Sequence, residues 1–161
     1  MTSRVEPTRT RPAHTEELLG RIRARTAAVG IIGLGYVGLP LALAFVERGF
    51  RTIGFDVDDT KVQRLKAGES YIKHIAGGRL PEAVATGRLD ATTDFGRLGE
   101  AAAVLICVPT PLTAQRQPDM TYVERSARLI AATLRPGQLV ILESTTYPGT
   151  TDELVKGILE E

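Results

Sequence analysis

The sequence predicts an α/β fold, a doubly wound parallel sheet with helices on both faces. Apolar runs of strand length recur along the 161 residues, and segments of helical periodicity separate them. A glycine-rich turn follows the first apolar run. Strands that alternate with helices in this way imply parallel pairing through right-handed crossovers, and the length suits one domain.

The first half of the chain alternates between helix and strand patterns. Apolar residues at helical spacing predict an amphipathic helix over residues 15–25, and the continuous apolar run 28–32 predicts a strand buried on both faces. A helix at 39–47, a strand at 51–56 and a helix at 59–66 follow. The glycine turn therefore lies between the first strand and the helix after it.

The second half continues the alternation. The predicted elements are a short helix at 80–85, strands at 89–92 and 103–108, a helix at 122–133 that Asp119 can cap, a strand at 139–143 and a last helix after Pro148 and Gly149. Sheets of this class normally have six strands, whereas this pattern gives five. We therefore interpret the fold as truncated before its last strand or strands, so that the chain is a fragment.

Charge divides the chain into two parts. Residues 1–27 form a basic N-terminal extension with a short amphipathic helix, and residues 28–161 form the predicted domain. Interspersed glutamates and the lack of aromatic residues favour a solvated extension over a tail that binds nucleic acid. The net charge of +1 gives no field that attracts nucleic acid or a membrane. The extension contains six arginines: Arg4, Arg9, Arg11, Arg21, Arg23 and Arg25.

The expected compartment is the cytoplasm. The single cysteine, Cys107, excludes a disulfide framework within the chain and fits a reducing environment. The N-terminus lacks the apolar stretch of a secretory signal. No segment approaches the ~20 apolar residues that a membrane-spanning helix needs.

The glycine turn carries the strongest functional signal. It reads GLGYVG over residues 33–38, a G-x-G-x-x-G motif between a strand and a helix. The first glycine permits a tight turn, the second lets a pyrophosphate approach the backbone, and the third brings the helix close to the strand. The N–H groups of the helix N-terminus then attract phosphates. The motif indicates a Rossmann-type sheet that binds a dinucleotide; the alternative is a purely structural glycine turn.

Acidic residues after the second strand favour NAD over NADP. Asp56 is placed to accept hydrogen bonds from the adenosine ribose hydroxyls, and its carboxylate would repel the 2′-phosphate of NADP. Asp58 and Asp59 add to that repulsion, and Val57 stands where an NADP enzyme can place an arginine. Lys61 either reaches the adenosine side or is a solvated lysine on a helix face.

Two loops that carry threonines are expected at the same edge of the sheet. Residues 108–111 leave the fourth strand and residues 143–146 leave the fifth, and ligands bind beyond the carboxyl ends of parallel strands. Thr110 and Thr145 should therefore converge near the nicotinamide. Ordinary polar loop ends are the alternative interpretation.

Nucleophile and metal chemistry find little support. Cys107 lies in an apolar strand without a histidine or lysine nearby in sequence, which favours a packing role. His14 and His74 lie in the extension and in a loop, without partners that ligate metals. We therefore expect no metal site.

Several segments together resemble one enzyme family. VGIIGLGYVGLPLALAF, IGFDVD, GESYIKHI, LICVPTPL, PDMTYVE and ILESTTYPGTT are similar to the N-terminal domain of nucleotide-sugar 6-dehydrogenases, the UDP-glucose/GDP-mannose dehydrogenase family. SYIKHI, ATTDF and STTYPGTT are most similar to its UDP-N-acetyl-D-glucosamine 6-dehydrogenase branch. The UDP-N-acetylmannosamine branch shares PDMTYVE.

The resemblance implies an NAD-dependent oxidoreductase of polysaccharide biosynthesis. Such an enzyme oxidises the C6 hydroxymethyl of a UDP-sugar to a carboxylate with two NAD⁺, through a thiohemiacetal and then a thioester on a cysteine. Thr145 is the one implied catalytic residue, because the matching threonine helps to hold a catalytic water. The implied cofactor-binding residues are Gly33, Leu34, Gly35, Tyr36, Val37, Gly38, Asp56, Lys61, Val108, Pro109, Thr110, Ser144 and Thr145.

The sequence also departs from that family. The nucleophilic cysteine and its partners have no counterpart here, and Cys107 does not match that nucleophile, so we expect the chain to bind NAD and turn over nothing. The full-length enzyme is expected to be a homo-oligomer, and the fragment is expected to self-associate through an exposed strand edge or apolar patch. Rival interpretations are the same domain of a UDP-N-acetylmannosamine or UDP-glucose 6-dehydrogenase, and a non-catalytic NAD-binding module.

Overall fold

The structure, a computed structural model, describes residues 12–73, 75 and 78–161. Residues 1–11 of the basic extension and one of the two histidines, His74, lie outside the described residues. Within the described part, no helix is long and apolar enough to cross a membrane.

Five strands of the described chain form one sheet, in the order β3-β2-β1-β4-β5. All neighbours pair in parallel, and Ile31 at the centre lies between Gly54 and Leu105. This is the order of the first five strands of a Rossmann sheet, which confirms the predicted fold class. The strands are β1 (Val29–Ile32), β2 (Thr52–Phe55), β3 (Leu89–Thr92), β4 (Ala103–Ile106) and β5 (Leu139–Leu142).

Helices cover both faces because the central strands are apolar on both sides. On one face a core around Ile31 and Leu43 joins the sheet to α2, α3 and α4. On the other face a core around Phe55 and Ile106 joins it to α5 and α6. The described residues contain six α-helices: α1 (Ala13–Arg23), α2 (Gly38–Glu47), α3 (Asp59–Lys66), α4 (Arg79–Ala85), α5 (Thr121–Ala131) and α6 (Lys156–Leu159).

Most observed bounds lie within two residues of the predicted ones, and three differences bear on the fold. β4 ends at Ile106, two residues earlier than predicted, because Pro109 lacks an N–H group and stiffens the exit from the sheet. An unpredicted 3₁₀ helix, Phe95–Glu100, joins β3 to β4, and the Asp94 side chain caps it by accepting from Gly96 N. The last predicted helix begins as a π-helical segment, Thr150–Val155, before α6.

Candidate cofactor-binding site

A cavity of about 570 Å³ opens at the carboxyl edge of the sheet, beside the ends of β1, β2 and β4. This volume lies within the range of small-molecule sites. The position is the topological switch point of the sheet, where the chain winds away from β1 towards β3 on one side and β5 on the other. Gly33 and Gly35, Asp56, and Val108 with Pro109 line the cavity.

The three glycines of the turn have different surroundings. Gly33 has φ +90°, and a Cβ there would lie 2.6 Å from Cys107 O on β4's exit. A Cβ on Gly38 would lie 1.8 Å from Gly33 O, so α2 approaches the turn too closely for any side chain. Gly35 lines the cavity, and a Cβ there would meet no protein atom within 4 Å. The first and third glycines are therefore required by packing, whereas the second leaves space open on the cavity side.

The N-terminus of α2 presents free hydrogen-bond donors. The backbone N–H groups of residues 35–38 have no acceptor among the described residues, and no side chain caps the helix. The first N–H groups of a helix need partners and carry partial positive charge. These donors fit an anionic group such as a pyrophosphate, and Gly35 leaves the room that such a group needs.

Asp56 lies buried at the end of β2, with 6% of its surface exposed. Its Oδ2 accepts from Leu34 N at 2.9 Å and its Oδ1 from Asp58 N at 3.0 Å. Lys61 Nζ lies 3.3 Å from Oδ2, and Lys61 lines the same cavity. A carboxylate accepts about four hydrogen bonds, so Asp56 retains capacity for ribose hydroxyl donors.

Tyr71, which the sequence did not identify, completes this side of the site. Its hydroxyl donates a hydrogen bond to Leu34 O, and two cations lie over its ring, with Lys61 Nζ 6.0 Å and Arg64 Cζ 5.8 Å from the centroid. Burial, followed by the charges of Asp56 and Asp58, raises the pKa of the Tyr71 phenol. No periodic pattern marks Tyr71, because it is a single aromatic residue in an irregular loop.

The two threonine loops meet as predicted from the sheet topology. Thr110 Oγ1 donates to Thr145 O at 2.8 Å, and Ser144 Oγ donates to Val108 O at 2.7 Å. Val108 and Pro109 line the cavity, whereas Thr110, Ser144 and Thr145 lie beside it and outside its wall.

Helix α5 supplies a wall of the cavity that was not predicted. The lining residues on this helix follow the i, i+3, i+4, i+7 spacing of one helical face. That spacing is a signal that could have found them, had the ligand side of the helix been known. They are Tyr122, Arg125, Ser126 and Leu129.

Cys107 lines the cavity but lacks the environment of a nucleophile. Burial, with a smaller contribution from Glu143, raises the pKa of its thiol to about 11. Activated cysteines instead have a lowered pKa. Within the described residues no three histidine, cysteine, aspartate or glutamate side chains group as metal ligands would.

A switch-point cavity, free amides at a helix start and an acid after β2 define a dinucleotide-binding Rossmann domain. Comparison with known proteins gives the family. Residues 27–161 match the NAD binding domain of the UDP-glucose/GDP-mannose dehydrogenase family, and the chain therefore belongs to that family. The resemblance and the choice of NAD as cofactor are both confirmed.

Individual relatives support the same assignment. The chain is 43% identical over 135 residues to UDP-N-acetyl-D-mannosamine dehydrogenase of Escherichia coli (strain K12), covering 83% of this chain and 31% of that protein. It is 36% identical over 134 residues to UDP-N-acetyl-D-glucosamine 6-dehydrogenase of Pseudomonas aeruginosa, with the same two coverages, 83% and 31%. A crystal structure of a ternary complex of GDP-mannose dehydrogenase from Pseudomonas aeruginosa matches with a TM-score of 0.78 at 34% identity, covering 82% of this chain and 31% of that one. The chain thus spans about a third of the length of these proteins.

Proposed function

We propose that this chain is the cofactor domain of a dehydrogenase that oxidises the C6 hydroxymethyl of a UDP-N-acetylhexosamine to a carboxylate, with two NAD⁺ per sugar. The observation that carries the proposal is the set of N–H groups at residues 35–38, which have no acceptor in the described part of the chain, next to the buried carboxylate of Asp56. NAD⁺ supplies a hydride acceptor when bound. In an enzyme of this family, NAD⁺ accepts the hydride when a sugar alcohol is oxidised.

The residues of the site take distinct roles in this proposal. The turn at residues 33–38 holds the pyrophosphate, and Asp56 with Lys61 binds the adenosine ribose. Val108 and Pro109, in the loop after β4, face the cofactor, and Thr110 with the loop at 144–145 stands beside the nicotinamide end. Thr145 is the proposed catalytic residue, through a water that it helps to hold. Residues 28–161 form the cofactor domain, and residues 1–27 form an extension of it.

Two amino sugars remain candidates within the proposed class. The resemblance of SYIKHI, ATTDF and STTYPGTT favours UDP-N-acetylglucosamine. The 43% identity to the mannosamine enzyme, against 36% to the glucosamine enzyme, favours UDP-N-acetylmannosamine. The two sugars differ only in configuration at C2, remote from the oxidised C6, and no residue of the cofactor site is expected to distinguish them.

We do not propose that these 161 residues catalyse the oxidation on their own. Oxidation to the acid in this family passes through a cysteine thioester, and Cys107 is the single cysteine of the chain. Its thiol has a raised pKa and a half-buried position. We therefore expect NADH binding by this chain and no reduction of NAD⁺ with any UDP-sugar.

The test uses the protein that contains this chain in the cell. It is purified, supplied with NAD⁺, and assayed for NADH absorbance with UDP-N-acetylglucosamine, UDP-N-acetylmannosamine, UDP-glucose and GDP-mannose in parallel. We expect two NADH per sugar with one of the two amino sugars. Reduction only with UDP-glucose or GDP-mannose would overturn the substrate class, and NADPH formation in preference to NADH would overturn the cofactor site.

A further inference from the structure

The N–H, the carbonyl oxygen and the side chain of Leu34 all have partners, although Leu34 belongs to an irregular turn. Asp56 Oδ2 accepts from its N–H at 2.9 Å, and the Tyr71 hydroxyl donates to its carbonyl oxygen. Its side chain is 1% exposed and packs on Gly54, where a Cβ would lie 2.6 Å from Leu34 Cδ2. The peptide units on both sides of Leu34 therefore have fixed orientations.

The peptide unit between Leu34 and Gly35 links Tyr71 to the donors of the site. A trans peptide is planar, so its N–H points opposite to its C=O. With the Leu34 carbonyl directed at Tyr71, the Gly35 N–H points away from Tyr71, and it has no acceptor among the described residues. Gly35 itself lines the cavity.

The Leu34 carbonyl also lies just before the start of α2. In an α-helix the N–H of each residue donates to the carbonyl four residues earlier, so Leu34 O is the natural acceptor for Gly38 N. Leu34 O accepts from Tyr71 instead, and the first bond of this type in the helix runs from Leu39 N to Gly35 O at 3.1 Å. The amides at the start of α2 therefore remain available to a ligand.

Tyr71 is itself anchored by residues outside the cofactor turn. An Arg64 Nη donates to Ser70 O at 2.8 Å, and Ser70 Oγ accepts from Ile72 N at 3.1 Å. The guanidinium of Arg64 and the ammonium of Lys61 both lie over the ring. Because burial and nearby carboxylates raise the pKa of the phenol, Tyr71 keeps its proton and remains a donor at neutral pH.

We propose that Tyr71 is a positioning residue for cofactor binding, which fixes the Leu34–Gly35 peptide and thereby presents the amides of residues 35–38 to the diphosphate of NAD. The inference rests on the binding of NAD by this domain and is independent of which sugar the enzyme oxidises. It assigns a function to the loop at residues 69–73, whose contribution to the site is otherwise unexplained.

The test compares Tyr71→Phe with Tyr147→Phe, a matched variant at an exposed tyrosine that does not line the cavity. NADH and ADP-ribose, which contain a diphosphate, and adenosine, which does not, are titrated into each protein. We expect Tyr71→Phe to raise the Kd of NADH and ADP-ribose by about five- to tenfold, as loss of one hydrogen bond does, and to change the Kd of adenosine less than about twofold. Arg64→Gln, which frees the loop but keeps the phenol, should produce a smaller change in the same two ligands.

Amide hydrogen exchange without ligand provides a second measurement. The amides of Leu34 and Leu39, which donate to Asp56 Oδ2 and to Gly35 O, should exchange faster in Tyr71→Phe than in the wild type, and Tyr147→Phe should leave them unchanged. Equal weakening of all three ligands, or unchanged affinity with unchanged exchange, would overturn the positioning function. A wild type that fails to bind NADH would refute the cofactor site, while the exchange comparison would still decide whether Tyr71 orders the turn.

Discussion

At the scale of single residues, the carboxylate of Asp56 serves both the fold and the candidate site. It accepts from Leu34 N and Asp58 N, and Lys61 Nζ lies 3.3 Å from it. A ligand that binds to Asp56 therefore meets a group already oriented by the protein. A carboxylate with fixed orientation loses little freedom on binding, which favours affinity.

Replacement of Asp56 tests both functions. Asp56→Ala leaves the buried Leu34 N–H without its acceptor, which should lower the free energy of unfolding by about 1–3 kcal/mol and raise the Kd of NADH at least about tenfold. Asp56→Asn keeps an acceptor oxygen. It should therefore stay closer to the wild type in its free energy of unfolding than in its affinity for NADH. Urea unfolding and NADH fluorescence titration measure the two effects. Asp59→Ala, on an exposed residue of α3, is the control, and unchanged NADH affinity in Asp56→Ala would exclude Asp56 from the site.

Cys107 should behave as a buried thiol rather than as a nucleophile. With a pKa of about 11, it holds about one thiolate per thousand molecules at pH 8, and only the thiolate reacts. The rate of reaction with Ellman's reagent should therefore rise about tenfold per pH unit up to about pH 10. NADH should slow it, because Cys107 lines the cavity.

The single cysteine makes this measurement unambiguous, and N-acetylcysteine gives the reference profile of an exposed thiol. A rate that levels off below pH 9 would mean that the protein stabilises the thiolate. Such a result would reopen a reactive role for Cys107.

At the scale of elements, the six-residue turn before α2 contains glycines that packing requires and one glycine that leaves space for a ligand. Gly38→Ala places a methyl group 1.8 Å from Gly33 O, and we expect a loss of about 1–3 kcal/mol or more in stability. Gly35→Ala meets no protein atom within 4 Å, so its stability should stay within about 0.5 kcal/mol of the wild type. Its affinity for NADH should fall at least about tenfold, because the new methyl group enters the space left for the pyrophosphate.

Thermal unfolding and NADH titration on this pair of variants check both statements. The two substitutions are chemically identical, so each serves as the control for the other. A Gly35→Ala protein that binds NADH like the wild type would place the pyrophosphate elsewhere.

The elements that were predictable from sequence are those with a strong local signal. β3 and α3 have the predicted bounds, and the G-x-G-x-x-G turn lies between β1 and α2 as expected. The 3₁₀ helix Phe95–Glu100 was missed because Gly96 and Gly99 weaken a helical pattern that is too short to show periodicity. Tyr71 and the α5 wall were missed because their relation to the turn depends on tertiary contacts between residues far apart in sequence.

At the scale of the whole molecule, β5 forms one edge of the sheet. Among the described residues its only strand partner is β4, and Leu139 is 40% exposed. An apolar edge strand offers unpaired N–H and C=O groups to another chain. We therefore expect the protein to associate as its concentration rises, which sedimentation velocity would detect.

A charged residue on that edge should suppress the association. Leu139→Lys is expected to remain monomeric over the concentrations at which the wild type associates. Leu112→Lys, which changes an exposed leucine in the loop between β4 and α5, should associate like the wild type. A wild type that stays monomeric at all accessible concentrations would contradict this prediction.

The side chains that hydrogen-bond to Leu34 come from one part of the chain. Asp56 and Tyr71, which hydrogen-bond to the Leu34 backbone, and Lys61, which pairs with Asp56, all belong to the segment between β1 and residue 73, whereas β4, β5 and their loops approach from the other half of the sheet. If the cofactor lies as proposed, sequence changes in the later half alter the surroundings of the nicotinamide and leave the contacts proposed for the adenosine end unchanged. A change of chemistry then requires substitutions in only one half of the domain, while the other half continues to hold the cofactor.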